Sequence, residues 1–255
     1  MASTDNLMLG GGELFFAKKK SDGSFDDFRY FGLTDSLSVN LSTDTLEHIN
    51  TEGDTPTTDM ELEKKKTITM SVETSEISQA MIARFFKGSE DTVTQVAGTV
   101  TAEAHTVSPG GIYNLSKIKV SSVVVKSAGG GTTYAEGTDY AVKDAEAGVI
   151  EILSGGAISD GTAVEIDFSY ADATYTIVQA GTQTAIEGKL KFISAPAVGP
   201  KREWNFHKIS IIPSGDMALK AADDWAKASF EIKVLKDDTI TSGSQFFSVK
   251  EIPAA

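Results

Sequence analysis

The sequence contains no cysteine. Disulfide frameworks, thiolate metal sites and cysteine nucleophiles are therefore excluded. Histidine is nearly as scarce. His48, His105 and His207 are the only three, and no two of them have the spacing of a zinc site. No G-x-S-x-G elbow occurs, which removes the most recognisable serine-hydrolase signature. The runs Gly10–Gly12 and Gly129–Gly131 lack the G-K-[ST] ending of a phosphate loop and read as turns. Asp22, Ser24 and Asp26 begin like a calcium loop. Its sixth position is Asp27 where glycine is required, and its twelfth is Leu33 where glutamate is required. No stretch approaches 18 apolar residues, so no membrane-spanning helix is expected. The opening MASTDNLMLGGG has no basic segment followed by an apolar run, so no secretory leader is expected either. Basic residues are also short, with 23 Lys and Arg against 36 Asp and Glu and a net charge of -13. That balance opposes tight nucleic-acid binding, which needs clustered cations to neutralise phosphates. The sequence predicts a structural protein with no catalytic residues, no cofactor and no metal.

What is abundant points to β-structure. The chain has 255 residues, 40% of them hydrophobic, with 23 Gly and 6 Pro, enough to bury a sizeable core. Apolar and polar residues alternate in at least five places: Leu37/Val39/Leu41, Ile68/Met70/Val72, Val164/Ile166/Phe168/Tyr170, Ile186/Leu190/Phe192 and Phe230/Ile232/Val234. Each predicts a strand with one buried face. Trp204 and Phe206 share a parity, whereas Ile209 and Ile211 take the other, which predicts a β-bulge near His207–Lys208. One helix is expected over 75–87, with Ser75 as N-cap, Glu76 in the first turn, an Ile77/Met81/Phe85 stripe, and Lys87–Gly88 at its end. Trp225, after Asp223–Asp224, reads as an aromatic entering a strand and packing in the core.

Two stretches differ from this pattern. Residues 43–60 are polar and carry Asp44, Glu47, Glu52, Asp54 and Asp59 with no Lys or Arg. They read as a long surface loop, or as an arm ordered by a neighbouring subunit. Leu46 and Ile49 are its large aliphatic residues and the expected anchors on such a neighbour. Lys64, Lys65 and Lys66 read as a solvated strand end, or as partners for a neighbour's acidic loop. The candidate interface set is therefore Asp44, Leu46, Glu47, Ile49, Glu52, Asp54, Lys64, Lys65 and Lys66. The second stretch, 120–177, holds nine acidic residues against Lys126 and Lys143. Its short strands and Gly-rich turns predict an inserted β meander. The expected division is a discontinuous core, 1–119 and 178–255, with a 120–177 module.

The order of these features resembles the major tail protein, or tail tube protein, of long-tailed bacteriophages. The resemblance is carried by LSVNL, by LEHINTEGDT leading to KKKTITMSVE, by SEISQAMIARFFKG, and by PSGDMALKAADDWAKASFEIKVLKD. The D-Y-x-V…G-x-I and D-D-W-A pieces are its most recognisable parts. It implies a mainly β fold with one helix, a tail-tube-type β-sandwich or barrel carrying a small β module. It further implies homo-hexameric rings stacked into a tube, assembled in the host cytoplasm and resident in the virion tail. Tape measure, distal tail and terminator proteins are the implied partners. DNA would cross the lumen during ejection without specific binding, which an acidic wall favours. The competing expectations are a distal-tail or baseplate ring protein sharing that fold, and a β-sandwich binding or adhesion module.

Overall fold

A computed structural model describes residues 9–52, 54–220 and 225–253. The chain first forms β1 (Leu9–Lys18), β2 (Arg29–Tyr30), β3 (Thr34–Asn50), β4 (Thr57–Thr74) and α1 (Gln79–Phe85). Next come β5 (Ser89–Gln95), β6 (Gly98–Val107), β7 (Ile112–Asn114), β8 (Val120–Ser127), β9 (Tyr140–Asp144), β10 (Val149–Ile152), β11 (Thr162–Tyr170) and β12 (Ala173–Gln179). It ends with β13 (Ile186–Val198), β14 (Lys201–Ser214), β15 (Ala228–Val234) and β16 (Phe247–Ile252). The protein is mainly β. None of its described helices is long and apolar enough to cross a membrane. It divides into two units, residues 1–90 with 178–255, and residues 91–177.

The first unit is built on one sheet in the order β2-β1-β13-β14-β15-β4-β3, with β16 also paired to β14. Among the described residues the path is open, ending on β2 and β3, and does not close into a barrel. The expected bulge is present: Gly188 faces Ile209 and Leu190 faces Phe206, so His207 and Lys208 together oppose Lys189. The extra residue lets both phases reach the core, and Phe206, Ile209 and Ile211 are all buried. It also marks where β14 changes partner, from β16 along Lys201–Phe206 to β15 along Ile209–Ser214. Bulge backbone groups stay paired through His207 N–H to Phe246 O and Leu235 N–H to Lys208 O.

The helix is shorter than the sequence suggests. Its N-cap is Ser78, whose hydroxyl accepts from Met81 N–H, and its first turn holds no acidic residue. Ser75 instead donates to Asp35, and Glu76 accepts from Leu33 N–H, so both tie the incoming strand rather than the helix. Met81 and Phe85 are buried against the sheet, with Phe85 packing edge-on to Phe230. At the other end Gly88 N–H reaches Ala83 O, and the left-handed residue is Lys87 at φ 49°. Gly88 is needed for another reason: a Cβ there would lie 2.6 Å from Gln179 O.

Gly10–Gly12 lie within β1 rather than in a turn, and a Cβ on Gly12 would strike the Phe192 ring and Ile193 O. Gly129 and Gly130, at φ 81° and 73°, do form a turn. Trp225 is 82% exposed, so it is not a core residue, and Asp223 and Asp224 lie outside the described residues.

The second unit begins at Asp91, upstream of the expected 120, because β6 pairs with β11. It is not a sequential meander. Strands β6-β11-β8 form one sheet and β7-β10-β9 another. The two sheets share a core that includes Val125, Ile150, Ile152, Val164 and Ile166. β5 pairs with β12. The D-Y-x-V…G-x-I string supplies its central pins. The Asp139 carboxylate accepts from Ala135 and Ala157 N–H at 2.8 and 2.7 Å. Tyr140 is buried and donates to Val123 O, and Ile150 is fully buried. Gly148 sits at φ 70°, where a Cβ would run into Lys117 O.

Candidate assembly arm

The 43–60 stretch is not a loop. It belongs largely to a long antiparallel hairpin of β3 and β4, 17 and 18 residues long, whose outermost pair is Asn50 with Thr57. The base of this hairpin is ordinary sheet. Leu37, Val39 and Leu41 face Val72, Met70 and Ile68, on the side that meets the core. The three β4 residues are buried, but Val39 and Leu41 on the edge strand are 41% and 61% exposed.

Beyond the base, pairing continues through two irregularities. One lies between Asp44 and Thr45, where Lys64 is the extra residue of β4; the other lies between His48 and Ile49, where Asp59 is extra. Between them Leu46 faces Leu62, Glu47 faces Glu61 and His48 faces Met60. Since successive side chains point to opposite faces, the arm is amphipathic. Leu46, Met60 and Leu62 share one face and Glu47, Glu61 and Glu63 the other. By the alternation of β3, the apolar face of the arm lies opposite to the core face of the sheet. All of these residues, and Ile49, are exposed.

The expected interface residues fall into place unevenly. Leu46 is at the centre of the apolar face, joined by Met60 and Leu62, which lie outside the expected set. Their signal is the M-E-L-E alternation immediately after the polar run. Ile49 lies past the second irregularity, opposite Thr58. Glu52 and Asp54 are exposed on the turn, where Glu52 N–H is held by the Asn50 side chain. Asp44 faces Lys65, and Lys66 pairs with Glu63 at 3.1 Å. By the same alternation Lys66 lies at the inner end of the acidic face, whereas Lys65, opposite Asp44, lies on the face of Leu46.

The electrostatics of the arm are unbalanced. Glu47 and Glu61 stand directly opposite each other, and like charges so placed destabilise a strand pair. Glu47 accepts a hydrogen bond from the Thr58 hydroxyl and Asp59 pairs with His48 at 2.6 Å. Among the described residues Glu61 has no ion pair. In the run Lys18–Lys20, Lys19 pairs with Glu187 at 2.9 Å and Lys20 with Asp26 at 3.3 Å.

The remaining candidates are structural in their surroundings. Asp22 accepts from both the hydroxyl and the N–H of Ser24, which lowers its pKa and closes a tight turn. His105 contacts Glu103, which also accepts from the Ser116 hydroxyl and N–H. The carboxylate is central there, whereas a hydrolytic triad needs the imidazole between acid and hydroxyl. His207 occupies the β14 bulge, where burial lowers its pKa.

Comparison with known proteins adds two findings. A 65-residue segment is 46% identical to the tail sheath protein of Burkholderia phage BcepMu, covering 25% of this chain and 13% of that protein. The chain thus matches only about an eighth of the length of that relative. A family model described as "Protein of unknown function UCP028589" matches residues 7–250, nearly the whole chain, and the protein belongs to that family.

Proposed function

We propose that this chain is a structural subunit of a bacteriophage tail, and within the tail a tube subunit that assembles into stacked hexameric rings through which DNA is ejected. The observation that carries this reading is the β3–β4 arm. Its pairing runs out to Asn50 and Thr57 through two irregularities, yet beyond the base both faces are exposed, with Leu46, Met60 and Leu62 aligned on one of them. An apolar ribbon face of this kind marks a binding surface for another chain. The open edge of β3, beside exposed Val39 and Leu41, offers a second place for a neighbouring copy to join the sheet. The segment shared with a tail sheath protein supports a tail role. The charge of -13 favours the tube, whose inner wall must let a polyanion slide. The partners in this reading are further copies of the chain and the tail proteins that start, measure and cap the tube. The role is one of assembly and needs neither catalysis nor a cofactor.

Purified protein examined by sedimentation and negative-stain microscopy tests the reading. Rings or hollow tubes are expected. Changing Leu46 and Leu62 together to Asp should abolish them while circular dichroism stays that of the folded subunit. A protein that is monomeric at every concentration, alone and with other tail proteins, overturns the proposal.

A further inference from the structure

In the first unit, β1, the 26–29 segment, α1 and residues 183–186 line a cavity of about 380 Å³ whose charged groups are Lys18, Arg29 and Arg84 with Asp26, Asp27 and Glu90, and whose rim includes Ala80 and Gln183. Its most distinctive group is Arg84. The guanidinium lies over the Phe16 and Phe31 rings, 5.4 and 4.9 Å from their centroids. One Nη1 hydrogen bond goes to Phe31 O at 2.9 Å, with Met81 Sδ at 3.6 Å. Burial lowers its pKa, and Glu90 and Glu76 offset this only through longer-range attraction. Among the described residues no carboxylate forms an ion pair with Arg84, and none of its side-chain nitrogens is both buried and without a hydrogen-bond partner. The remaining donors of the fork are therefore open to an incoming acceptor, and a planar fork of N–H groups matches a carboxylate.

The arm presents the converse. Between residues 45 and 63 it carries Glu47, Glu52, Asp54, Asp59, Glu61 and Glu63 and no Lys or Arg. Glu61 opposes Glu47 across the strands and has no counter-ion among the described residues. One site holds a partly buried cation that forms no ion pair with the carboxylates around it among the described residues, and the other a crowded carboxylate with no ion pair. We infer that they are the two halves of one intermolecular contact, in which Glu61 of one copy enters the Arg84 cavity of the next. This rests on the self-assembly proposed above and specifies the surface that receives the arm. A carboxylate seated there relieves the Glu47–Glu61 repulsion and neutralises the buried charge at the same time.

The absence of native cysteine allows a direct test on the full-length chain. A Glu61→Cys protein is mixed with an Ala80→Cys protein under mild oxidation, with Gln183→Cys as a second position lining the cavity. A mixed disulfide dimer is expected from the pair. Separately, Glu61→Gln should raise the concentration for half-assembly by about tenfold or more. If the wild-type protein assembles but the Glu61→Cys protein traps neither cavity position, or Glu61→Gln assembles as wild type does, the inference is overturned while the proposed function stands. If the wild-type protein never assembles, the proposed function falls and the inference falls with it.

Discussion

Asp139 shows how a single carboxylate can organise a small sandwich. Two backbone N–H groups from separate turns, Ala157 and Ala135, donate to it and hold its pKa below the ordinary aspartate value. A carboxylate with a depressed folded-state pKa contributes stability that is fully present above the unfolded-state pKa and is lost as pH falls through the folded value. The second unit should therefore lose stability below about pH 4. Asp139→Asn should destabilise it at neutral pH, because an amide N–H₂ replaces one acceptor, and should flatten the acid limb of its unfolding curve. Thermal melts from pH 2 to 7 check both. The string holding this residue is recognisable in the sequence, but its purpose is not. Nothing in D-Y-x-V reveals that the aspartate closes two turns, one at Ala135 and one at Ala157, since that depends on chain reversal between them.

At the level of elements, legibility follows the clarity of the apolar phase. The β14 bulge is readable because Trp204/Phe206 and Ile209/Ile211 occupy opposite parities, and only an extra residue reconciles them. Deleting His207 and Lys208 together should leave Phe206 next to Ile209, so that the two phases no longer share a face and either Phe206 or Ile209 and Ile211 turns outward. The expected loss is about 4 kcal/mol or more, measured by urea unfolding of the first unit. The helix cap lies at Ser78 rather than Ser75 because both serines are competent caps, and tertiary contacts of Ser75 and Glu76 decide between them. The arm is hidden for a different reason. Its apolar residues switch face between Leu41 and Leu46, and a carboxylate or threonine stands at almost every other position. With no buried side to impose a period, the strand signal fades, and a polar ribbon looks like a loop.

For the whole molecule, the division into units is visible as a change in charge and texture, but its boundary is not. Strand β6 (GTVTAEAHTV) buries only Val107 fully, so it carries little apolar signal and reads as part of the wrong unit. The second unit has its own core, its own two sheets and no disulfide to complete. Residues 91–177 expressed alone should fold and melt cooperatively, with a chemical-shift dispersion characteristic of β-structure; an unfolded fragment would show that this unit depends on the rest of the chain. The opposed glutamates of the arm also bear on symmetry. A dimer closed about a two-fold axis through the acidic faces of the arms would bring Glu47, Glu61 and Glu63 of both copies together. In the contact proposed above, where the arm meets the body of the next copy, the interface would instead be heterologous, with a different patch on each side. Such contacts leave every added copy with one arm still unused, so growth stops only when a ring closes or a filament runs out of subunits.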